Sequence, residues 1–297
     1  VLATSTFGAN AYLDDTRGYI TPAALFVYVP GQIRHPVTVT IEPNPKWSTI
    51  ATGLDPVSPD RPHTYIAGDF DVLYDSPILM GNLESLPPFE VRGIPHRFIG
   101  YDLGAFDRRQ FMADLKAVVE AGVDIIGEVP YSHYTFLAIG PGRGGIEHHN
   151  STAFAFTSPG SGDRAERNRV LSFLAHEYFH HFNVKRIRPI ALGPFDYDGP
   201  NVTHMLWVSE GFTVYYEYLM MARSGRMTLR ELLDAIHGTI ASFERGTGRL
   251  FQSATQSSAE TWTQGPFGRG SGGGILKTVS YYEKGAILGL LLDLRIR

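Results

Sequence analysis

The sequence predicts an α+β fold, in which an N-terminal antiparallel β domain precedes a mainly helical domain with a small mixed sheet. Up to about residue 80, short β-rich runs alternate with clusters of turn-forming residues. From about residue 107, apolar residues recur at helical spacing instead. We therefore divide the chain into a β domain over residues 1–82, expected to be partial, and a second domain over residues 83–297.

The β domain is predicted from residues 19–74. Residues 25–29 (LFVYV) and 37–41 (VTVTI) are rich in β-branched and aromatic side chains, and Pro, Gly, Asn and Asp separate such runs. The Pro- and Gly-bearing residues 87–95 then form a plausible connection to the second domain.

The second domain begins with helical periodicity. The spacing of Phe111, Leu115 and Val118 predicts an amphipathic helix over about residues 107–121. A strand is expected over residues 134–139, followed by a Gly-rich turn. Further helices are predicted over residues 163–184 and 206–221, and another starts at Thr228, which with Glu231 forms a capping-box pattern.

Composition narrows the classes of function. The 297 residues include no cysteine, so disulfides, thiolate metal sites and cysteine nucleophiles are excluded. The net charge of -4 and the mixed distribution of charged residues predict neither nucleic-acid binding nor a polybasic membrane patch. No apolar run reaches the roughly 18 residues of a membrane span, so we expect a soluble chain in the cytoplasm or the periplasm.

Two segments raise expectations of a different kind. The chain begins at Val1 without Met and stops within a helix-like pattern over residues 291–297, which suggests a fragment, truncated at the C-terminus. The Gly-rich residues 265–274 are expected to form a loop, either a flexible connector or a substrate cover.

The strongest chemical signal is residues 176–180 (HEYFH), an HExxH motif. On a helix, residues i and i+4 share a face, so His176 and His180 converge on one metal ion. Glu177 lies beside them and is the candidate general base, because a metal ion in such a site lowers the pKa of its bound water to about 7.

The third ligand is inferred from the next predicted helix. Glu210 is the candidate, and Glu217 lies two helical turns further on the same face, where it would orient a metal-bound histidine. His181 adjoins His180 but projects about 100° away on the helix, so it is expected either to be structural or to support a ligand without binding the metal. His204 remains an alternative ligand should Glu210 not reach the metal.

Together, these segments resemble the glycyl aminopeptidase family of gluzincin metallopeptidases, which is related to aminopeptidase N and leukotriene A4 hydrolase. The resemblance rests on four blocks: residues 144–148 (GGIEH), 176–189 (HEYFHHFNVKRIRP), 207–218 (WVSEGFTVYYEY) and 280–296 (SYYEKGAILGLLLDLRI). It implies a thermolysin-like catalytic domain over residues 83–297 that binds one zinc ion per chain.

The resemblance also implies roles in substrate binding and catalysis. Gly144, Gly145 and Glu147 would lie along the substrate cleft, with Glu147 binding the free amino terminus of a peptide. Tyr282 would stabilise the oxyanion, with Tyr281 as the alternative. The block with Glu147 has a histidine at position 148, where the aminopeptidase N group has asparagine, and family members commonly continue into a PDZ-like domain.

The leading hypothesis is therefore a zinc-dependent aminopeptidase that releases a small N-terminal residue, glycine or alanine. A zinc endopeptidase or another hydrolase on the same scaffold is a second hypothesis. A third is a peptide-binding protein with an idle zinc site. The expected partners are peptides with a free N-terminus, and the oligomeric state is left open.

Overall fold

The computed structural model describes residues 8, 10–160, 162–265 and 277–296. Contacts between residues divide the chain into two compact units, Val1–Val170 and Leu171–Arg297. This division does not test the boundary expected after residue 82, which stays a prediction.

The strands belong to the first unit. They are β1 (Tyr12–Leu13), β2 (Arg17–Ile20), β3 (Val37–Thr40), β4 (Thr49–Thr52), β5 (Asp55–Pro56), β6 (Thr64–Ala67), β7 (Ile78–Gly81), β8 (Glu84–Ser85), β9 (Phe89–Val91), β10 (Ile94–Gly100), β11 (Tyr134–Ala138), β12 (Gly145–Glu147) and β13 (Ser151–Phe154). The sheets in the order β1-β2-β7-β4 and β3-β6-β5 are antiparallel. The third sheet runs β12-β13-β11-β10-β8, with β9 also on β10, and it is mixed because β11 is parallel to both β10 and β13. Antiparallel sheets and a small mixed sheet were both predicted, and the α+β class is confirmed.

The mixed sheet is covered by apolar side chains on both faces. On one face, Leu137, Ile139 and Ala153 pack with Tyr19 and Leu79 of the four-stranded sheet in one buried cluster. On the other face lies a cluster of aromatic rings formed by Phe98, Phe106, Phe111, Phe136, Phe154 and Phe156. Burial on both faces holds β11 and β13 rigidly, and β13 in turn supports the edge strand β12.

One expected strand is absent. Residues 25–29 form irregular backbone after a short 3-10 helix at Pro22–Ala24. The side chain of Val27 is 88% exposed, and Leu25 and Val29 are also exposed. These three side chains are not buried against a sheet, and packing of the Tyr28 ring on Phe70 and Tyr74 fixes the segment instead.

His96 is a buried histidine in β10. Its Nδ1 donates a hydrogen bond to Ile94 O (2.9 Å), so its Nε2 accepts one from the Tyr131 hydroxyl (2.7 Å). Phe89 stacks on the ring at 5.0 Å. Burial of this neutral ring lowers the pKa of His96 to about 4.

We expect His96 to make folding stability depend on pH. The unfolded chain binds a proton below about pH 6.5, whereas the folded ring stays neutral until about pH 4. The contribution of His96 is therefore complete above pH 6.5 and is lost as the pH falls towards 4. Between pH 7 and 5, the free energy of unfolding should fall by about 2 kcal/mol more in the wild type than in His96→Gln, as measured by urea unfolding. The same substitution at the exposed His35 is the control, and equal pH dependence in all three proteins would contradict the prediction.

The described helices are α1 (Phe70–Tyr74), α2 (Arg108–Ile126), α3 (Arg164–Phe179), α4 (Leu206–Ser209), α5 (Gly211–Arg223), α6 (Leu229–Arg245), α7 (Ala254–Ala259), α8 (Thr261–Gln264) and α9 (Tyr281–Ile296). The helix predicted over residues 107–121 is α2, which is capped by Asp107 and extends five residues further. The capping box of Thr228 and Glu231 is present at the start of α6.

Two helix predictions need correction. The helix expected over residues 163–184 ends at Phe179, and the one expected over residues 206–221 is interrupted at Glu210. Both departures lie at the candidate metal site. Apart from Gly265, the Gly-rich loop expected over residues 265–274 lies outside the described residues.

Within the described part of the chain, every helix is too short or too polar to cross a membrane.

Candidate metal centre

His176 and His180 lie in the last turn of α3 and directly after it. The backbone bond from His180 N to His176 O (3.3 Å) continues the helix to this point, so the two rings share one face. Their centroids are 4.6 Å apart. The helix then gives way to a tight turn, in which Lys185 N bonds to His180 O.

Glu210 occupies the break between α4 and α5. The side-chain amide of Asn183 donates to Val208 O (2.9 Å) and Ser209 O (3.0 Å), two carbonyls of the last turn of α4. The Thr213 hydroxyl also donates to Ser209 O (2.7 Å). These bonds stabilise the break, because they satisfy carbonyls near the end of α4.

The three candidate ligand atoms form a nearly equilateral triangle. His176 Nε2 lies 3.0 Å from His180 Nε2 and 3.3 Å from Glu210 Oε2, and His180 Nε2 lies 3.2 Å from Glu210 Oε2. Tetrahedral coordination with bonds of about 2.0 to 2.1 Å places ligand atoms about 3.3 Å apart. The triangle therefore fits a tetrahedral transition-metal ion. Among the described residues, His176, His180 and Glu210 form a group of three side chains that could hold a metal ion.

Hydrogen bonds on the far side of each ring point to the same conclusion. His176 Nδ1 lies 3.3 Å from Glu217 Oε2, and His180 Nδ1 lies 3.0 Å from Asn183 O. Since a carboxylate and a carbonyl only accept, each Nδ1 carries the hydrogen, and in the neutral ring each Nε2 presents a lone pair. With both rings neutral, two lone pairs and a carboxylate oxygen meet at one point, an arrangement that favours a bound cation.

The pKa shifts of His176 and Glu210 also indicate that the pocket favours positive charge. Burial alone would lower the pKa of His176, but hydrogen bonds and charge from Glu210 and Glu217 hold that pKa well above its ordinary value. Burial alone would raise the pKa of Glu210, but the charges and hydrogen bonds of the two imidazoles hold that pKa below its ordinary value. The pocket thus favours a net positive charge, which a metal ion or a proton can supply.

Other predicted site residues also belong to the second unit. Glu177 follows His176 in α3, and its side chain is 6% exposed. Glu217 accepts a hydrogen bond from the Ser172 hydroxyl in addition to its contact with His176. The Tyr282 ring lies 6.1 Å from the His176 ring at an interplanar angle of 26°, and Tyr281 stacks on Tyr282 at 4.9 Å.

Comparison with known families shows which family the chain belongs to. The sequence model of the M61 glycyl aminopeptidase family matches residues 169–288, which contain all three candidate ligands, and the model of the M61 N-terminal domain matches residues 1–82. The chain belongs to the M61 glycyl aminopeptidase family. No protein with a curated description matches it by sequence.

Solved structures share the fold of this M61 chain. An aminopeptidase N family protein from Idiomarina loihiensis matches 97% of the chain with 32% identity and a TM-score of 0.86, and the chain spans 50% of that protein. An M1 zinc metallopeptidase from Deinococcus radiodurans matches 98% of the chain with 16% identity and a TM-score of 0.58, over 60% of its own length. A variant of the Deinococcus enzyme bound to a Tyr-Ser-Ala substrate matches 88% of the chain with 16% identity and a TM-score of 0.54, over 52% of its length. At such identity the Deinococcus structures show the fold alone.

The block that M61 resemblance assigns to the substrate lies in the first unit. Gly145 and Glu147 belong to β12, an edge strand paired with β13, and Gly144 precedes it. Gly8 lies so close to Gly145 that a Cβ on Gly8 would be 2.8 Å from Gly145 Cα. The roles of these three residues in binding substrate stay predictions.

The two other histidines considered in the sequence analysis, His181 and His204, lie outside the triangle. His181 is fully buried, and its Nδ1 donates to Tyr178 O. His204 is exposed, and the group of three that could hold a metal contains Glu210 instead.

Sequence reasoning missed Asn183, Thr213 and Ser172. Asn183 binds His180 through its backbone carbonyl and stabilises the helix break through its side-chain amide. The Thr213 hydroxyl contacts both Asn183 and His180, and the Ser172 hydroxyl donates to Glu217. Residues 172 and 176 share a helix face, as do 180 and 183, so helical spacing from the motif could have suggested Ser172 and Asn183. Thr213 gave no such signal.

We expect Glu217→Gln to weaken metal binding. Loss of the carboxylate removes the acceptor that orients the His176 ring, and such changes typically cost 10- to 100-fold in metal affinity. Competition with a chromophoric chelator at pH 7 would measure the Kd for Zn²⁺. The exposed Glu244→Gln is the control, and an unchanged Kd in Glu217→Gln would refute the assignment.

Proposed function

We propose that this chain is the catalytic part of a zinc-dependent aminopeptidase that releases small N-terminal residues, glycine or alanine, from peptides. The observation that carries the proposal is the convergence of His176 Nε2, His180 Nε2 and Glu210 Oε2 on one point, with both Nδ1 atoms already donating elsewhere. Membership in the glycyl aminopeptidase family supports the reaction class and the small residue.

Zinc is the metal that this ligand set favours. Two neutral imidazoles and one carboxylate are a typical catalytic zinc set, which leaves a coordination position for water or substrate. Cobalt and nickel accept the same ligands, whereas magnesium and calcium prefer oxygen. We propose one zinc ion per chain. A bound zinc ion would lower the pKa of coordinated water to about 7 and polarise the scissile carbonyl.

Glu177 moves the proton in this scheme. Its carboxylate follows the first ligand in α3 and accepts the proton of the attacking water, then donates it to the departing amine. Burial keeps bulk water away from this carboxylate, which makes the transfer specific to the water in the site. The same residue thus acts as general base and then as general acid.

Two further residues complete the proposed site. The Tyr282 hydroxyl donates a hydrogen bond to the developing oxyanion, and proximity of its ring to His176 supports this role. Glu147 binds the ammonium group of the substrate, so that the scissile bond is the one after the first residue.

We expect Tyr282→Phe to lower kcat by about 100- to 1,000-fold, the usual cost of removing one donor to an oxyanion. Tyr281 is 4% exposed and its hydroxyl lies 3.4 Å from Thr261 Oγ1, so Tyr281→Phe should change kcat less than tenfold. Steady-state hydrolysis of alanyl anilide by both variants checks this. The reverse order of effects would assign the oxyanion role to Tyr281.

The proposed function is tested with free-amine and N-acetylated glycyl and alanyl anilides, together with metal analysis of the same sample. We expect about one zinc per chain, with cleavage of the free-amine substrates only. Equal cleavage of acetylated substrates would indicate an endopeptidase and remove the role of Glu147. Absence of bound zinc after reconstitution would overturn the proposal.

A further inference from the structure

The turn between β12 and β13 carries Glu147 at its start. Glu147 pairs with Thr152 across the hairpin, and His148 N donates to Ser151 O (2.8 Å). The Thr152 hydroxyl donates to Ile146 O (3.1 Å), which fixes the strand on the other side of Glu147. The backbone around Glu147 is therefore held within the hairpin itself.

Asp75, which follows α1, accepts hydrogen bonds from this turn. It is the C-cap of α1, and its two carboxylate oxygens accept separate hydrogen bonds, one from His148 Nδ1 (3.1 Å) and one from His149 N (2.9 Å). The side chain of His148 is 7% exposed and that of Asp75 is 24% exposed. This shielding strengthens the contact relative to an exposed ion pair.

Asn150 attaches the other end of the turn. Its side-chain amide donates to Gly53 O (2.8 Å), directly after β4. Gly53 leaves no room for a side chain, because a Cβ there would overlap Asn150 Oδ1 and lie 3.1 Å from Ser151 Oγ. The turn is thus fastened at two points, and both Gly53 and Asp75 belong to residues 1–82, which match the M61 N-terminal domain.

The carboxylate of Glu147 makes no hydrogen bond or ion pair with the described residues of its own unit. Successive side chains along a strand point to opposite faces, so a backbone that directs His148 towards Asp75 directs Glu147 away from it. Holding the backbone of Glu147 in advance reduces the entropy lost when its carboxylate binds a cation.

We propose that Asp75, acting through His148 and His149 N, is the positioning residue that presents Glu147 to the substrate ammonium group. This inference rests on the proposed function of Glu147. It assigns to the N-terminal β domain a part in amine recognition, and it accounts for histidine at position 148: the ring tethers the turn to Asp75.

The test compares two zinc-binding probes that differ only in the amino group, glycine hydroxamate and acetohydroxamate. Calorimetric titration of each into the zinc-loaded full chain gives two Kd values. The ratio of the acetohydroxamate Kd to the glycine hydroxamate Kd reports the amine contact without requiring turnover. The variants are Asp75→Asn, which keeps the size and one acceptor, Asp75→Ala, Glu147→Gln and the double variant Asp75→Ala/Glu147→Gln. Asp71→Ala is the matched control, since Asp71 lies in the same helix and pairs with Arg34.

We expect Glu147→Gln to reduce the ratio by about 10- to 100-fold, the usual range for a hydrogen bond to a charged group. Asp75→Ala should reduce it by about three- to tenfold and Asp75→Asn by less, with an unchanged Kd for acetohydroxamate. In the Glu147→Gln background, Asp75→Ala should have no further effect on the ratio.

Three results would overturn the inference in distinguishable ways. If Glu147→Gln reduces the ratio but neither Asp75 variant does, Asp75 does not position Glu147, and the proposed function stands. If Glu147→Gln leaves the ratio unchanged, Glu147 does not bind the amine, and the proposed role of Glu147 fails together with the inference. A purely structural effect of Asp75 would weaken both probes equally and would also overturn it.

Discussion

Glu177→Gln is expected to lower kcat for peptide hydrolysis by about 1,000-fold or more, within the range attributed to general acid–base catalysis. Glutamine has the size of glutamate but cannot accept the proton of the attacking water. Because Glu177 is not one of the three candidate ligands, the zinc content should stay at the wild-type value. Hydrolysis of alanyl anilide and metal analysis on the same preparation would measure both quantities.

The control for this substitution is Glu166→Gln, which removes a charge from the first turn of the same helix. It should leave kcat within about twofold, as expected for a surface change. Glu177→Gln with bound zinc and nearly wild-type kcat would exclude Glu177 as the proton acceptor. It would also favour the hypothesis of a peptide-binding protein with an inactive zinc site over that of an enzyme.

Local patterns in the sequence predicted much of this centre. The i, i+4 spacing of His176 and His180 depends only on helical geometry, which the structure shows up to His180. Glu210 was inferred from the need for a third ligand, and the structure brings its carboxylate into the triangle. The capping box at Thr228 is equally local, and it too is present.

The helix break at Glu210 and the attachment of the turn between β12 and β13 depend on partners distant in sequence. Residues 206–221 read as one helix because their apolar periodicity continues through Glu210, yet the Asn183 amide binds the carbonyls of Val208 and Ser209 from outside. The bond between His148 and Asp75 joins residues 73 positions apart. Neither contact has a periodicity or a spacing rule, so only the folded chain reveals it.

Close packing of two glycines sets the position of Tyr282. Gly285 of α9 lies against the start of α5, so that a Cβ on Gly285 would overlap Trp207 O and lie 2.8 Å from Gly211 Cα. A Cβ on Gly211 would in turn overlap the backbone of Gly285. These contacts are with backbone atoms, which cannot move aside as a side chain can.

We expect Gly285→Ala to reduce the free energy of unfolding by about 3 kcal/mol, the upper part of the usual range for overpacking. The added methyl group must push α9 away from α4 and α5. Tyr282 lies three residues earlier on the same side of α9, so its hydroxyl would shift relative to His176 and kcat should fall by about tenfold or more. Urea unfolding and anilide hydrolysis measure the two effects.

Gly238→Ala is the matched control, because Gly238 lies within α6 with no atom near its would-be Cβ. There the substitution should stabilise the protein by up to about 1 kcal/mol, since alanine is the better helix former, and should leave kcat unchanged. If Gly285→Ala loses stability but keeps the wild-type kcat, the spacing of α9 does not control catalysis, and the predicted link between Gly285 and Tyr282 is refuted. A loss of kcat in Gly285→Ala that matches the loss in Tyr282→Phe would instead show that the glycine contact acts through that hydroxyl.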